Sequence, residues 1–144
     1  MANWTVPSHD GRVILGTTHE PAAGPVQGQV LIAHGFKGYK DYGFIPWLAE
    51  TLAKSGLAAH RFNFSCCGMD HGHGEFDIQA FRRDTWNTQV EDVLCLIRAA
   101  HLGQLPGGSG PIVLAGHSRG GVASLLAAGR HAGSGRLEGL RGIL

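Results

Sequence analysis

The sequence predicts an α/β protein in three layers, with a mostly parallel sheet flanked by helices. Short apolar runs alternate along the chain with longer stretches of helical periodicity, and this is the pattern of βαβ units with right-handed crossovers. The composition agrees, because 43% hydrophobic and 16% charged residues in a chain of 144 are typical of a folded domain. No internal repeat and no change of composition marks a domain boundary.

The first part of the chain predicts two strands and one helix. Apolar runs at 13–15 and 30–33 indicate strands, and a loop rich in Pro and Gly at 21–28 separates them. A helical stripe follows, which ends before Gly56. We expect its aromatic members to contact the core under the sheet; the stripe consists of Phe44, Trp47, Leu48 and Leu52.

The second part repeats this alternation. Residues 57–64 predict a strand that runs into a glycine-rich loop ending at Gly74. Asp84 or Thr85 can cap a longer helix, whose apolar face consists of Val90, Val93, Leu94 and Ile97. After a turn-rich connector, residues 112–115 predict a strand and residues 122–130 a helix of small residues. The last five residues look like the start of another strand.

Composition and charge argue against several classes of function. Twelve Lys and Arg residues balance eleven Asp and Glu, and no basic cluster with interleaved aromatics is present, so we expect no binding to nucleic acid. The amino end lacks the basic and apolar stretches of a secretory signal, and the longest apolar runs are far too short for a membrane span. Three cysteines make no disulfide framework, which favours the cytoplasm.

The most informative motif is Gly-His-Ser-Arg-Gly at 116–120, directly between the predicted strand and the helix of small residues. The five-residue pattern alone is weak evidence, because the chain contains 23 glycines. The order strand, Gly-x-Ser-x-Gly, helix is typical of a nucleophile elbow, in which the serine stands on a very tight turn. We therefore expect the Ser118 hydroxyl at the carboxyl edge of the sheet, where open α/β folds bind their ligands.

A serine nucleophile needs a base to remove its proton and two donors for the oxyanion of the tetrahedral intermediate. The backbone N–H of Arg119, next after the serine, is one candidate donor. The loop after the strand at 30–33 begins His34-Gly35-Phe36, and Gly35 allows a close backbone approach. The N–H of Phe36 is therefore the candidate for the second donor.

With the loop Asp70-His71-Gly72-His73-Gly74, these two motifs resemble those of α/β-hydrolase serine esterases and related serine peptidases. Enzymes with a His-Gly-Phe oxyanion loop, such as feruloyl and cinnamoyl esterases, are the most similar, and the resemblance spans roughly residues 28–144. It implies an α/β-hydrolase fold, Ser118 as nucleophile, and Phe36 and Arg119 as the oxyanion hole. It also implies a small-molecule acyl substrate and no cofactor.

In that family the triad acid and histidine follow later strands. A sheet that stopped in mid-strand would also keep an unfinished apolar edge, so we expect residues 1–144 to be the amino-terminal part of a single α/β-hydrolase domain. Two alternatives stay open: a truncated, non-catalytic module on the same fold, and a serine peptidase or thioesterase.

The local histidines are poor substitutes for the triad base. His131 lies about 20 Å along the helix from Ser118. His117 should point elsewhere around the tight turn, and His34 is expected to brace the oxyanion loop rather than to line the site.

Side chains at 70–77, with Cys66 and Cys67, offer an alternative metal site, which the loose glycine-rich loop disfavours. Adjacent cysteines form only a strained bridge, so we expect no redox pair, and we expect Cys95 to be buried filler. Three arginines are expected on the solvated surface: Arg61, Arg82 and Arg83.

Overall fold

The computed structural model describes residues 1–69 and 74–144, and within them the chain forms a sheet of six strands with four helices. The strands are β1 Ala2–Pro7, β2 Val13–His19, β3 Gln29–Ala33, β4 Ala58–Asn63, β5 Ile112–Gly116 and β6 Leu140–Ile143. The helices are α1 Ile45–Lys54, α2 Ile78–Phe81, α3 Trp86–His101 and α4 Arg119–His131.

The sheet has the strand order β1-β2-β4-β3-β5-β6. β1 and β2 form an antiparallel hairpin, and β2 also runs antiparallel to β4. From β4 through β3 and β5 to β6 the strands are parallel, which confirms the predicted α/β class and its mostly parallel sheet. Ala33 at the end of β3 pairs with Gly116 at the end of β5, so the two loops that follow begin side by side.

The main core lies between the sheet and helices α3 and α4. The predicted apolar face of α3 is buried there, against side chains of the central strands. Of the two predicted caps, Asp84 and Thr85, it is Thr85 that caps the helix, in a capping box with Thr88. The largest side chains that are almost fully buried include Phe62, Phe64, Ile14, Leu31, Leu94, Leu96, Ile97, Ile112 and Leu114.

Helix α1 covers the opposite face of the sheet and buries a smaller cluster, made of Val30, Ile32, Ile45, Ala49 and Ala59. Beside this helix an open, mostly apolar groove of about 500 Å³ runs over β3 and β5. The prediction that Phe44 and Trp47 belong to the core is wrong, since their exposed fractions are 47% and 66%. Phe44 is the N-cap residue, and the buried side of the helix is rotated to Ile45, Ala49 and Ala53.

Two elements escaped the sequence prediction. β1 shows the alternating burial of an edge strand and pairs with β2; its Trp4, Thr5 and Val6 favour a strand, and the prediction passed over this short run. α2 is a single turn capped by Asp77, whose carboxylate accepts hydrogen bonds from the N–H groups of Gln79 and Ala80. The strand predicted at the end of the sequence is confirmed as β6.

The expectation of a solvated Arg61 is also wrong. Only 8% of this residue is exposed; its guanidinium forms an ion pair with Asp41, and its Nε donates to His19 Nε2 at 3.0 Å. Burial lowers the pKa of Arg61, a cost that the paired carboxylate offsets. Arg82 and Arg83 lie on the surface as predicted.

All three cysteines are free, with Cys66 and Cys67 buried and Cys95 half-buried against the core. Burial raises the pKa of the Cys67 thiol to about 12, which makes it a poor nucleophile. Among the helices in the described ranges, none has the length and apolarity needed to cross a bilayer. The cytoplasmic location stays a prediction.

Candidate active site

Ser118 occupies the junction between β5 and α4 in an unusual backbone conformation. Its φ is 54° and its ψ is −119°, a region that residues with a side chain rarely adopt. Such strain persists only where the surrounding structure determines it, and it is typical of functional sites. The residue is exposed at the carboxyl edge of the sheet, as the sequence predicted.

Two glycines allow this turn to close. A Cβ on Gly120 would lie 2.5 Å from the carbonyl oxygen of His34, and a Cβ on Gly116 would lie 2.5 Å from the backbone nitrogen of Gly121. Both obstacles are backbone atoms, which cannot move aside as a flexible side chain can. The glycines of the motif therefore permit close packing of β5, α4 and the loop after β3.

The loop after β3, residues 34–38, lies directly beside the serine. A Cβ built on Gly35 would lie 3.3 Å from Ser118 Cβ and 3.2 Å from His117 Nδ1. The backbone N–H of His117 also donates to the carbonyl oxygen of Ala33 at 3.0 Å, which joins the two loops at their origins. Gly35 therefore has the close approach that the sequence predicted for it.

His34 braces this loop from inside, as expected. Its Nδ1 lies 2.8 Å from the carbonyl oxygen of Gly35, and the N–H of Phe64 donates to its Nε2 at 3.3 Å. These contacts place the single proton of a neutral imidazole on Nδ1. Burial lowers the pKa of His34 to about 4, in agreement with a neutral structural residue.

The two backbone groups expected to bind an oxyanion, the N–H groups of Phe36 and Arg119, stand on these two loops. Arg119 is the first residue of α4, where the N–H has no partner within the helix. In the described part of the chain, neither N–H donates a hydrogen bond. The start of a helix favours negative charge, so this edge of the sheet is electrostatically suited to an anion.

The side chain of Arg119 joins the two loops in a way that the sequence did not reveal. Its guanidinium carbon lies 5.4 Å from the centre of the Phe36 ring and 4.6 Å from that of Trp86. Its Nη2 donates to the carbonyl oxygen of Asp84 at 3.2 Å, and its Nε donates to Gln89 Oε1 at 3.3 Å. Asp84 and Trp86 lie more than 30 residues before Arg119, so no local pattern signals these contacts.

His117 faces the other side of the turn, toward α1. Its ring packs edge-on against Phe44, with 5.3 Å between ring centres, and it contributes to the wall of the apolar groove. Within residues 1–69 and 74–144, Ser118 Oγ forms no hydrogen bond with a histidine or a carboxylate. His131 is the last residue of α4, at the far end from Ser118 as expected.

Four residues of the alternative metal site, Asp70 to His73, lie outside the described residues. Elsewhere in the described chain, no three His, Cys, Asp or Glu side chains are grouped closely enough to hold a metal ion.

A family model described as serine aminopeptidase, S33, matches residues 24–140. This range contains both loops and all of the candidate residues. Among curated protein sequences, none matches the chain.

Solved structures of hydrolases share the fold. Est1E from Butyrivibrio proteoclasticus with bound ferulic acid is 26% identical over 89% of this chain, with a TM-score of 0.70. A bacterial brefeldin A esterase is 21% identical over 99%, with a TM-score of 0.75, and a lidless serine hydrolase from Xanthomonas campestris is 21% identical over 98%, with a TM-score of 0.68. The chain spans between 38% and 59% of the length of these three structures.

Proposed function

Because the chain belongs to the serine aminopeptidase S33 family and has the α/β-hydrolase fold, we propose that it is the amino-terminal part of a serine hydrolase domain. The proposed reaction is cleavage of a carboxylic ester through an acyl-serine intermediate on Ser118. The observation that carries this proposal is the positive φ of Ser118 on a turn closed by two glycines, next to a loop whose Phe36 N–H donates no hydrogen bond within residues 1–69 and 74–144. In this proposal, the arrangement is a nucleophile elbow.

In the first step, Ser118 Oγ attacks the ester carbonyl and loses its proton to a general base. The carbonyl oxygen becomes an oxyanion, which accepts hydrogen bonds from the N–H groups of Phe36 and Arg119. Collapse of this intermediate breaks the bond to the alcohol, which leaves with the proton from the base. Water then releases the acid from the acyl-serine by the same route. This chemistry requires no cofactor.

The base and the acid that orients it belong, in this proposal, to chain outside residues 1–144. His34 is neutral and used on both nitrogens, and His117 packs against Phe44. His131 stands at the wrong end of α4. None of the three is in a position to accept the proton of Ser118. In this proposal, the turn and the oxyanion loop therefore supply the nucleophile and the two oxyanion donors, but not the base.

Two comparisons favour an ester over a peptide or thioester. Est1E, with ferulic acid bound, and brefeldin A esterase share the fold over 89% and 99% of this chain. The family description names an aminopeptidase, so a peptide substrate is the principal alternative. We infer a small acyl compound as the substrate, since the ligand bound to Est1E, ferulic acid, is a small carboxylic acid.

The test compares hydrolysis of p-nitrophenyl esters, thioesters and aminoacyl p-nitroanilides by the protein that the full natural reading frame encodes. We expect ester cleavage, covalent labelling of Ser118 by a fluorophosphonate, and loss of both in Ser118→Ala. Ser109→Ala, at an exposed serine on a distant loop, is the matched control. Activity that survives Ser118→Ala would contradict the proposal, and cleavage of anilides alone would replace the esterase with a peptidase.

A second candidate is a non-catalytic module that keeps the fold but lacks turnover. The absence of a base hydrogen-bonded to Ser118 in the described residues favours it. If the protein encoded by the full reading frame supplies no histidine base and is not labelled by a fluorophosphonate, this alternative is established.

A further inference from the structure

We propose that the side chain of Arg119 is a positioning residue, which clamps the Phe36 loop against the serine turn and so sets the separation of the two oxyanion donors. The inference rests on the proposed function, because it concerns the same pair of backbone N–H groups. It adds a role for the Arg119 side chain, whereas the proposed function uses only its backbone.

The guanidinium is held on one edge by residues at the start of α3. Its Nη2 donates to the Asp84 carbonyl oxygen at 3.2 Å and lies 3.6 Å from Asp84 Oδ2, and its Nε donates to Gln89 Oε1 at 3.3 Å. Gln89 in turn donates to the Asp84 carboxylate at 2.8 Å and 3.1 Å. The exposed fractions of the Arg119 and Asp84 side chains are only 18% and 4%, so solvent screens this network weakly.

The guanidinium also contacts two aromatic rings. The ring centres of Trp86 and Phe36 lie 4.6 Å and 5.4 Å from the guanidinium carbon, within the range of cation–π attraction. Trp86 belongs to α3, whereas Phe36 belongs to the loop after β3. Arg119 therefore connects that loop to α3, and its own backbone supplies the N–H next to Ser118.

In the described residues, the other contacts of the Phe36 ring are weaker. Its side chain is 55% exposed; it lies 5.7 Å from the exposed Lys37 Nζ and 5.6 Å, between ring centres, from Phe81 of the single-turn helix α2. The buried His34 and the turn bond from the Gly38 N–H to the Gly35 carbonyl oxygen hold the base of the loop, and the exposed Phe36 needs a fixed contact of its own. The guanidinium, anchored by three hydrogen-bonding or ionic contacts, provides this contact.

Arginine suits this role better than lysine. Its planar fork donates along its edge to Asp84 and Gln89 and leaves its flat faces for aromatic rings. A lysine ammonium keeps the charge but cannot hydrogen-bond both partners in this geometry. Loss of one oxyanion donor typically costs about 10²–10³ in turnover, and a displacement of about 1 Å can cost about 10².

The first experiment measures the backbone of Phe36 directly and needs no turnover. The variant is Arg119→Met, and the control is Arg130→Met, since Arg130 lies on the same helix and donates to Asn87 of α3 at 2.9 Å from an exposed position. We expect the ¹⁵N order parameter of Phe36 to fall from about 0.85 toward 0.6 in Arg119→Met and to stay unchanged in Arg130→Met. An unchanged order parameter in a folded Arg119→Met overturns the clamp.

The second experiment measures ester hydrolysis by the full reading frame. A positioning role predicts a fall in kcat of about 10- to 100-fold in Arg119→Met with KM within twofold, and partial rescue in Arg119→Lys. An altered melting temperature with unchanged kcat would mean a structural contact only and would overturn the proposal. If Ser118→Ala keeps its activity, the proposed function fails, while the order parameter still decides whether the clamp exists.

Discussion

The two loops beside Ser118 hold their shapes by opposite means. The turn at 116–120 depends on missing side chains, because backbone atoms of neighbouring segments occupy the space where a Cβ would stand at Gly116 and Gly120. The loop at 34–38 depends on a side chain that is present, the buried imidazole of His34, which hydrogen-bonds Gly35 and Phe64. The turn should therefore tolerate no substitution at its glycines, whereas the loop should respond to anything that alters the imidazole.

This difference suits the chemistry proposed for each loop. A nucleophile must stand in one exact place, and a turn packed backbone against backbone has little freedom to move. A loop that contributes one N–H can be adjusted from two sides, by His34 inside and by Arg119 outside. Four substitutions or conditions test this comparison.

The largest effect is expected from Gly120→Ala. The new methyl group would lie 2.5 Å from the His34 carbonyl oxygen, so α4 or the loop must move, and we expect a loss of about 3 kcal/mol in the free energy of unfolding. Urea denaturation measures it. A loss below about 1 kcal/mol would show that the two segments are not rigidly packed.

The next effect is expected from His34→Ala. It leaves the buried N–H of Phe64 without its acceptor and opens a cavity beside the Phe64 ring, whose centre lies 5.0 Å from that of the imidazole. We expect a loss of about 2–3 kcal/mol in urea denaturation. His34→Gln keeps a donor and an acceptor and should recover part of the loss; equal losses in both variants would argue against the hydrogen bonds.

A smaller, graded effect is expected from acid. The pKa of His34 is lowered to about 4 by burial, so between that value and about 6.5 the unfolded chain binds more protons than the folded one. Stability is therefore complete above pH 6.5 and is lost as pH falls toward 4, by about 2 kcal/mol for this group between pH 7 and 4.5. Stability curves measured across this range provide the check.

His60 provides an internal comparison for the acid effect. It is buried in β4 with its Nδ1 2.7 Å from Thr18 Oγ1, and burial lowers its pKa to about 4 as well. His34→Gln should therefore remove the His34 share of the pH dependence and leave the shares of His60 and of His19, whose pKa burial also lowers. An unchanged slope would mean that His34 does not titrate with folding.

The smallest effect is expected from Gly129→Ala, which also controls for Gly120→Ala. Both glycines belong to α4, but a Cβ at Gly129 meets nothing within 4 Å. Alanine is the better helix former, so we expect stabilisation of about 0.5–1 kcal/mol. Destabilisation in thermal unfolding would show that α4 is sensitive to any added methyl group. The effect of Gly120→Ala could then not be assigned to its contact with the His34 carbonyl oxygen.

Much of the fold was predictable because hydrophobic periodicity and the Gly, Pro and capping residues that end an element are local properties of the sequence. The runs in β3, β4 and β5, the Thr85 cap of α3 and the small-residue helix α4 were all predicted in type and near their observed bounds. The motif order also predicted that the loop after β3 and the turn at Ser118 would meet, which the pairing of Ala33 with Gly116 explains.

The errors have a common physical origin. Phe44 and Trp47 share the helical period of α1, yet the buried face lies one residue away, because the contact with β4 and β3 decides the rotation of the helix. Arg61 is a charged residue in an apolar strand, and only the fold brings Asp41 and His19 to it. β1 is the exception, because Trp4, Thr5 and Val6 favour a strand and the prediction passed over this short run, which pairs with β2.

The sequence by itself determined the class of fold, the family and the position of Ser118. The strand and helix periods, and the Gly-x-Ser-x-Gly motif between a strand and a helix, are local patterns along the chain. Only the tertiary structure decided what surrounds that serine: the neutral tautomer of His34, the packing of His117 on Phe44, and the contacts of Arg119 with Asp84, Gln89, Trp86 and Phe36. These contacts join residues that are distant in the chain, and their energies depend on burial and distance, which exist only after the sheet has formed.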